Sequence, residues 1–362
     1  MLVFIYLCAA MAEPQWLRSY LKFHRESTPA TSQYLVYNCI ATSGCGGIGD
    51  RVQSLSISFY LSVVLQRVFL IHNVFPVPLS DIWQPNMINW LQPNISSHCD
   101  YAVEHQFDAK QYALLNDTIK TKRVVCTNFR IGGNQLATIL QHRTFTEHKT
   151  RDYGKFFGTA FSLLFRPTTE LIHHINNITD QVGLRPIDAR CFLCNRSSEK
   201  WFAAHIRDRW RVKPDINFGL DPEKHQYNPH LVETVASCAA VVQNNTTARL
   251  YIASDSATAK SALRQRLQSK VTVVFPIIPI VHFDQRRGGD HFWAWAEMLV
   301  LAHAPCIIAG TWSGYSRVAS MLAESFLHST STYCHVPESN DIASCKQAAA
   351  IFASAITKKT SQ

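Results

Sequence analysis

Along the chain, hydrophobic and polar positions follow two periods, and they do so in two separate stretches. Tyr34-Leu35-Val36-Tyr37 is an unbroken apolar run of strand length. A glycine loop follows, Ser43-Gly44-Cys45-Gly46-Gly47-Ile48-Gly49-Asp50. From Arg51 to Gln66, apolar residues at Val52, Leu55, Phe59 and Val63 recur every three or four positions, which predicts a helix. Val68-Phe69-Leu70-Ile71 predicts the next strand. Strand, glycine loop, helix and strand is how a doubly wound parallel sheet begins. Residues 76–150 are rich in Pro and Asn and show no dominant period. A helix is predicted over Leu163 to Asn176, leading to a hinge near 180–198.

The second stretch repeats the alternation more cleanly. Trp201 to Ile206 predicts a strand, and Leu231, Val235, Cys238 and Val242 mark a helix. Arg249 to Ala253 reads as a strand ending in Ser254-Asp255-Ser256, where Asp or Ser can cap the helix that carries Ala259, Leu263 and Leu267. Val271 to Phe275 predicts a strand, His291 to His303 a helix and Cys306 to Ala309 a strand. Gly310-Thr311-Trp312-Ser313-Gly314-Tyr315-Ser316 then opens another helix, and Ser344 to Ile356 is helical and rich in alanine. The pattern predicts an α/β protein of two Rossmann-like halves. A 13–183 half and a 184–362 half, meeting at a cleft near residue 185, follow a leader over 1–12. Ligands of open α/β sheets sit at the carboxyl ends of strands. Three such ends carry polar or glycine-rich turns here, after Tyr37, Ile206 and Ala309.

Composition narrows the class. With 47% hydrophobic and 17% charged residues in 362, the chain is neither disordered nor fibrous and has the apolar content for large cores. The net charge of +9 suits anionic ligands, but the basic residues are scattered, which argues against a nucleic-acid arm or a polybasic membrane patch. Six Asn-x-Ser/Thr sequons, at Asn94, Asn116, Asn177, Asn195, Asn244 and Asn245, favour a glycosylated luminal or secreted protein. Leu2 to Ala10 is apolar and Ala10-Met11-Ala12 fits a cleavage site, so a signal peptide or a truncated membrane anchor is expected. Of eleven cysteines, Cys8 would leave with that leader, and the ten remaining point to an oxidised secretory-pathway protein.

Three constellations could carry chemistry, and each has a plain structural reading beside it. Gly44, Gly46, Gly47 and Gly49 before a helix could bring backbone N–H groups to an anion, or could simply make a tight turn with close packing. His205-Ile206-Arg207-Asp208-Arg209-Trp210-Arg211, with Asp215 beyond, could set a guanidinium against a diphosphate and a carboxylate beside a hydroxyl, or could be a surface ion-pair cluster. Ser313 and Gly314 at a helix start could meet an anion or merely cap, and Asp255 has the same two readings. Glu297 lies mid-helix among Trp293, Trp295 and Leu299, where a buried carboxylate requires a partner. No metal site is expected. Cys191-Phe-Leu-Cys194 reads as a structural disulfide.

Taken together, the motifs resemble the GDP-fucose-dependent fucosyltransferases of the two-domain GT-B type, whose Rossmann-like domains face each other across a cleft. Gly46-Gly47-Ile48-Gly49-Asp50-Arg51 with Arg67-Val68-Phe69-Leu70-Ile71 is similar to the family's first loop and helix, and Leu164-Phe165-Arg166-Pro167 to the segment before the second domain. Ala204-His205-Ile206-Arg207, Ile252-Ala253-Ser254-Asp255 and Ser313-Gly314-Tyr315-Ser316-Arg317-Val318-Ala319 complete the set. The chain departs from the pattern at Arg209-Trp210 and at Pro305.

The resemblance implies roles for single residues. Arg207 would hold the donor β-phosphate, His205 and Glu297 would contact guanine, and Asp255 the nucleotide. Ser313 and Gly314 would sit at the phosphates with Arg211, Gly47, Ile48, Gly49 and Asp50 would flank the donor, and Asp215 would be the base. It implies an inverting, metal-independent transfer of L-fucose from GDP-fucose to a glycan or glycoprotein hydroxyl, with no cofactor, in the Golgi lumen or outside the cell. The alternatives are a GT-B transferase of another nucleotide sugar and a non-catalytic secreted glycan-binding homologue.

Overall fold

The computed structural model describes residues 14–41, 45–96, 98–104, 117–128, 139, 153–186, 201–207, 229–243, 248–268, 270–278, 291–309, 313–327, 332–335, 345–347 and 349–350. The chain divides into two compact units, one running to Leu171 and the other taken up at Ile172.

The first unit is built on a parallel sheet of β1 (Tyr34–Cys39), β2 (Val68–Asn73), β4 (Tyr101–Glu104) and β5 (Val124–Asn128), in the order β2-β1-β5-β4. Tyr34 to Tyr37 are all buried, as expected of a central parallel strand covered on both faces. The helix Ile48–Val64 begins three residues before the predicted Arg51, so the end of the glycine loop is already helical. Nearly every side chain of this helix is buried, which its serines allow by bonding locally or to neighbours. Ser58 Oγ lies 2.8 Å from Thr127 Oγ1, and Ser62 Oγ lies 2.8 Å from Tyr20 Oη. Tyr20 comes from an amphipathic helix, Gln15–Glu26, that lays Trp16, Leu17, Tyr20, Leu21 and His24 on the core.

One prediction needs correction. Leu163 to Asn176 is not a single helix: one helix ends at Leu164, Phe165–Pro167 is extended as β6, and a second runs from Thr169 to Gln181. Pro167 lacks an N–H and favours extended backbone at Arg166, which breaks the helical pattern there. β6 pairs antiparallel with β3 (Trp83–Pro85), and the Trp83, Phe161 and Phe165 rings pack edge to face or tilted at 5.1–5.6 Å.

In the second unit the sheet contains β7 (Trp201–Ile206), β8 (Arg249–Ser254), β9 (Val273–Val274), β10 (Cys306–Ala309) and β11 (Thr332–His335). All are parallel, in the order β11-β10-β7-β8-β9. The helices Pro229–Gln243, Ala257–Leu267, His291–Ala302 and Gly314–Leu327 connect or cover the strands. Leu231, Val235, Cys238 and Val242 are buried on the sheet, as their spacing predicts. The expected α/β class, with two Rossmann-like parallel sheets, is the one the chain adopts.

The helix Thr169–Gln181 ends in a left-handed Gly183, φ +66°. Arg249 closes that end by donating to the Val182 and Gly183 carbonyls at 3.1 and 2.7 Å. The cysteines are oxidised at Cys39–Cys45, Cys99–Cys126 and Cys238–Cys345, in keeping with the expected disulfide chemistry. Cys8, Cys191 and Cys194 lie outside the described residues, as do the leader and most of the segment from Ser344 to Ile356. Among the described residues, no helix is long and apolar enough to cross a membrane.

Candidate functional site

In the second unit the chain runs from β7 through a helix to β8 on one side, while β10 pairs on the other side of β7. The connection therefore reverses direction between β7 and β10, which is where an open α/β sheet leaves a crevice. Neighbouring strands lie about 4.8 Å apart, so the ends of β10, β7 and β8 span roughly 10 Å side by side. Two of the three polar strand ends found in the sequence, after Ile206 and after Ala309, thus belong to adjacent strands of one sheet. The third, after Tyr37, belongs to the sheet of the first unit.

β7 delivers His205 and Arg207. His205 is 5% exposed, and its Nδ1 has no hydrogen-bond partner among the described residues. Burial first, then the nearby charges of Arg207 and Lys260, push the imidazole down to about 3, so the ring is neutral at physiological pH. It stacks on Tyr315, whose hydroxyl donates to the Ala294 carbonyl at 2.6 Å. Arg207 follows the strand immediately and is half-buried.

At the end of β8, Ser254 Oγ accepts from the Ser256 N–H at 3.1 Å, and Ser256 Oγ accepts from the Ala259 N–H at 3.1 Å. Ser256 is therefore the cap of the helix Ala257–Leu267, and Asp255 stands ahead of it at the strand end. Beyond β10, Ser313 is buried; its Oγ accepts from the Tyr315 N–H and its carbonyl from the Arg317 N–H. Ser313 thus caps the helix that Gly314 begins, at an end that carries positive dipole character.

Glu297 has the partner that its position demanded. Lys260 Nζ donates to Glu297 Oε1 at 3.1 Å, with the two side chains 5% and 12% exposed. Burial pushes the Glu297 carboxyl above the ordinary carboxylate range and Lys260 opposes that rise, while Asp255 adds to it. Buried Tyr251 on β8 is held protonated by burial and by Glu297. Sequence reasoning missed Lys260 because a lysine in a helix reads as solvated. Its signal was positional: it lies three residues before Leu263 and seven before Leu267, on the buried stripe.

Of the glycine loop, the residues from Cys45 onward are described in the first unit, and Ser43 and Gly44 lie outside the described residues. Gly46 has φ +72° and Gly47 is extended. The Gly47 N–H donates to Asp50 Oδ2 at 3.2 Å, so this amide already has a carboxylate acceptor at the helix start. Ile48 and Gly49 are the first helical residues. Arg51 is fully buried and braces the turn. It donates to the Gly46 carbonyl at 2.9 Å, to Asn73 Oδ1 at 3.2 Å and to the Phe75 carbonyl.

The second unit thus brings His205, Arg207, Asp255, Glu297, Ser313 and Gly314 to one end of its sheet, whereas Gly47, Ile48, Gly49 and Asp50 belong to the first unit. Arg211 and Asp215 lie outside the described residues. No cluster of three or more metal-ligating side chains occurs among the described residues.

The sequence matches no known family model and no curated protein. The fold does have solved counterparts. The chain is similar to a mutant of Arabidopsis thaliana FUT1 in complex with GDP, with a TM-score of 0.58 at 16% identity, covering 90% of this chain and 79% of that one. The fucosyltransferase NodZ from Bradyrhizobium gives 0.41 at 11% identity, over 81% and 94% of the chains. POFUT1 in complex with GDP-fucose gives 0.44 at 11% identity, over 85% and 98%.

Proposed function

We propose that the protein is an inverting, metal-independent fucosyltransferase that moves L-fucose from GDP-fucose to a glycan or glycoprotein hydroxyl in the secretory pathway. The observation that carries this reading is the strand-end cluster of the second unit. A half-buried arginine, a capped helix start and a buried carboxylate lie at the reversal point of a parallel sheet. That set has the chemistry for a nucleoside diphosphate: cationic and N–H donors for phosphate, an acceptor for a base. The similarity of the fold to a GDP complex of Arabidopsis thaliana FUT1 supports it.

In the reaction, the acceptor hydroxyl loses its proton to Asp215 or to the leaving phosphate. Its oxygen attacks the anomeric carbon opposite GDP. The bond between that carbon and the β-phosphate oxygen breaks, and GDP departs with the electron pair. Arg207 and Arg211, with the amides at Ser313 and Gly314, stabilise the charge that develops on the diphosphate. Gly47, Ile48, Gly49 and Asp50 flank the donor. His205 and Glu297 bind guanine, and Asp255 contacts the nucleotide. A neutral His205 suits that role, because it adds no charge beside the base and retains a ring nitrogen for it.

The test is nucleotide release from a panel of GDP- and UDP-sugars with N-glycan, galactoside, xyloglucan and peptide acceptors. Turnover of GDP-fucose with one acceptor class is the expected result. Turnover of another nucleotide sugar alone replaces the donor. GDP binding with no turnover on any acceptor identifies a glycan-binding homologue, the reading that Arg209-Trp210 favours.

A further inference from the structure

We infer that Lys260 is a positioning residue for base recognition: from its buried helix face it holds the Glu297 carboxylate in place and charged, so that guanine is preferred to bases lacking the 2-amino group. The inference rests on the GDP-linked donor reading above. Lys260 contacts neither phosphate nor sugar in that reading and would act only through Glu297.

The geometry is specific. Lys260 Nζ bonds Oε1 of Glu297 at 3.1 Å. Both side chains are largely buried, Lys260 5% and Glu297 12% exposed, so the ammonium is held against the carboxylate away from bulk water. Guanine presents N1–H and an exocyclic amino group side by side. Only an ionised carboxylate accepts from both, since the protonated acid turns one oxygen into a donor. Ionisation at this position is opposed by burial and by Asp255, ahead of the helix Ala257–Leu267. Tyr251 from β8 and Tyr315 from the helix Gly314–Leu327 also lie near Glu297, whose charge helps to hold them protonated. His205 of β7 is uncharged and lies near Lys260. Burial and Asp255 work against the carboxylate, and Lys260 acts in its favour.

The experiment is calorimetric titration of the full chain with GDP and with inosine diphosphate from pH 6 to 8. The ratio of the two affinities is the readout, because ionisation of the phosphates cancels in it. The wild type is expected to prefer GDP by about tenfold at pH 8, the scale of a charge-assisted hydrogen bond, and to keep more of that preference at lower pH than any variant without the Lys260 cation. In K260M the preference is expected to be lost at pH 7 and to return in part at pH 8. K260R should follow the wild type, and E297Q should show a small ratio at every pH.

A K260M ratio within twofold of the wild type at pH 7, or a loss identical from pH 6 to 8, overturns the inference. Should K260M fail to fold, K260Q takes its place, and a K260Q ratio within twofold of the wild type at pH 7 overturns the inference. If the wild type binds no GDP, the donor reading falls as well. Strong GDP binding with the same ratio in the wild type and the Lys260 variants leaves the donor reading standing and removes only Lys260.

Discussion

His205 lies against Tyr315 with ring centroids 5.1 Å apart and planes inclined by 29°, joining the end of β7 to the helix that follows β10. The imidazole is neutral in this contact, and protonating it would place an unpaired charge in a buried site. Its folded value is depressed to about 3, so the stability it confers is fully present above about pH 6.5 and is lost as pH falls toward 3. Between pH 6.5 and 4.5 the loss should be about 2 kcal/mol. Urea denaturation across that range checks it. His24 and His72, also lowered by burial, give any variant a residual slope, and His205→Gln should be shallower than wild type by the His205 share. Equal slopes for the two proteins would exclude a buried neutral His205.

Arg207 is expected to matter to transfer far more than to folding. It follows the last residue of β7 and is half-buried, so truncation leaves the sheet intact. Arg207→Ala should lower turnover by about 100-fold or more, the usual cost of removing one donor aimed at developing charge. Arg207→Lys should recover only part of it, because a single ammonium cannot bond a phosphate bidentately. Initial rates of GDP release, with melting midpoints beside them, decide the matter. Undiminished turnover in Arg207→Ala removes the assignment.

Two adjacent glycines should respond in opposite ways. A Cβ on Gly46 would sit 2.5 Å from Asp50 Oδ2, and the residue has φ +72°. Gly46→Ala should therefore cost about 2–3 kcal/mol through backbone strain and displacement of Asp50. A Cβ on Gly47 meets nothing within 4 Å. Gly47→Ala should change stability by less than about 0.5 kcal/mol. Equilibrium denaturation of both variants is sufficient, and equal losses would contradict this loop geometry.

Arg51 should behave as a structural residue despite its place in the motif. Its guanidinium serves the carbonyls of Gly46 and Phe75 and the Asn73 side chain, and it lies 5.8 Å from the Phe75 ring. Arg51→Met strands those acceptors and should destabilise the first unit by about 3 kcal/mol. Arg51→Lys should recover little, since one ammonium cannot span the three acceptors. A melting midpoint unchanged in Arg51→Met would refute this role.

The strands and helices of the second unit were legible because each carries one period uninterrupted. Leu231, Val235, Cys238 and Val242 pack on the sheet as spacing alone demands. Phe165 to Pro167 was not legible, because three extended residues between two helices leave no period of their own. Their pairing with Trp83 to Pro85 is a contact across some eighty positions of sequence. At the site, Arg207 and Ser313 could be found from strand ends and a cap. Lys260 could not be read by residue type, only by its place on a buried stripe, and the partner of Glu297 became apparent only in three dimensions.

The helix Thr169–Gln181 is counted in the first unit at its start and in the second from Ile172. Its far end is claimed by Arg249 of β8, and Gln181 Oε1 accepts from the Ile277 N–H at 2.8 Å. A cut at the turn after Gly183 would therefore leave both of these donors of the second unit bare, and a cut at residue 172 would open a helix in its first turn. Neither unit can be exchanged cleanly for a foreign counterpart at a loop. Recombination that shuffles such halves is penalised at this joint.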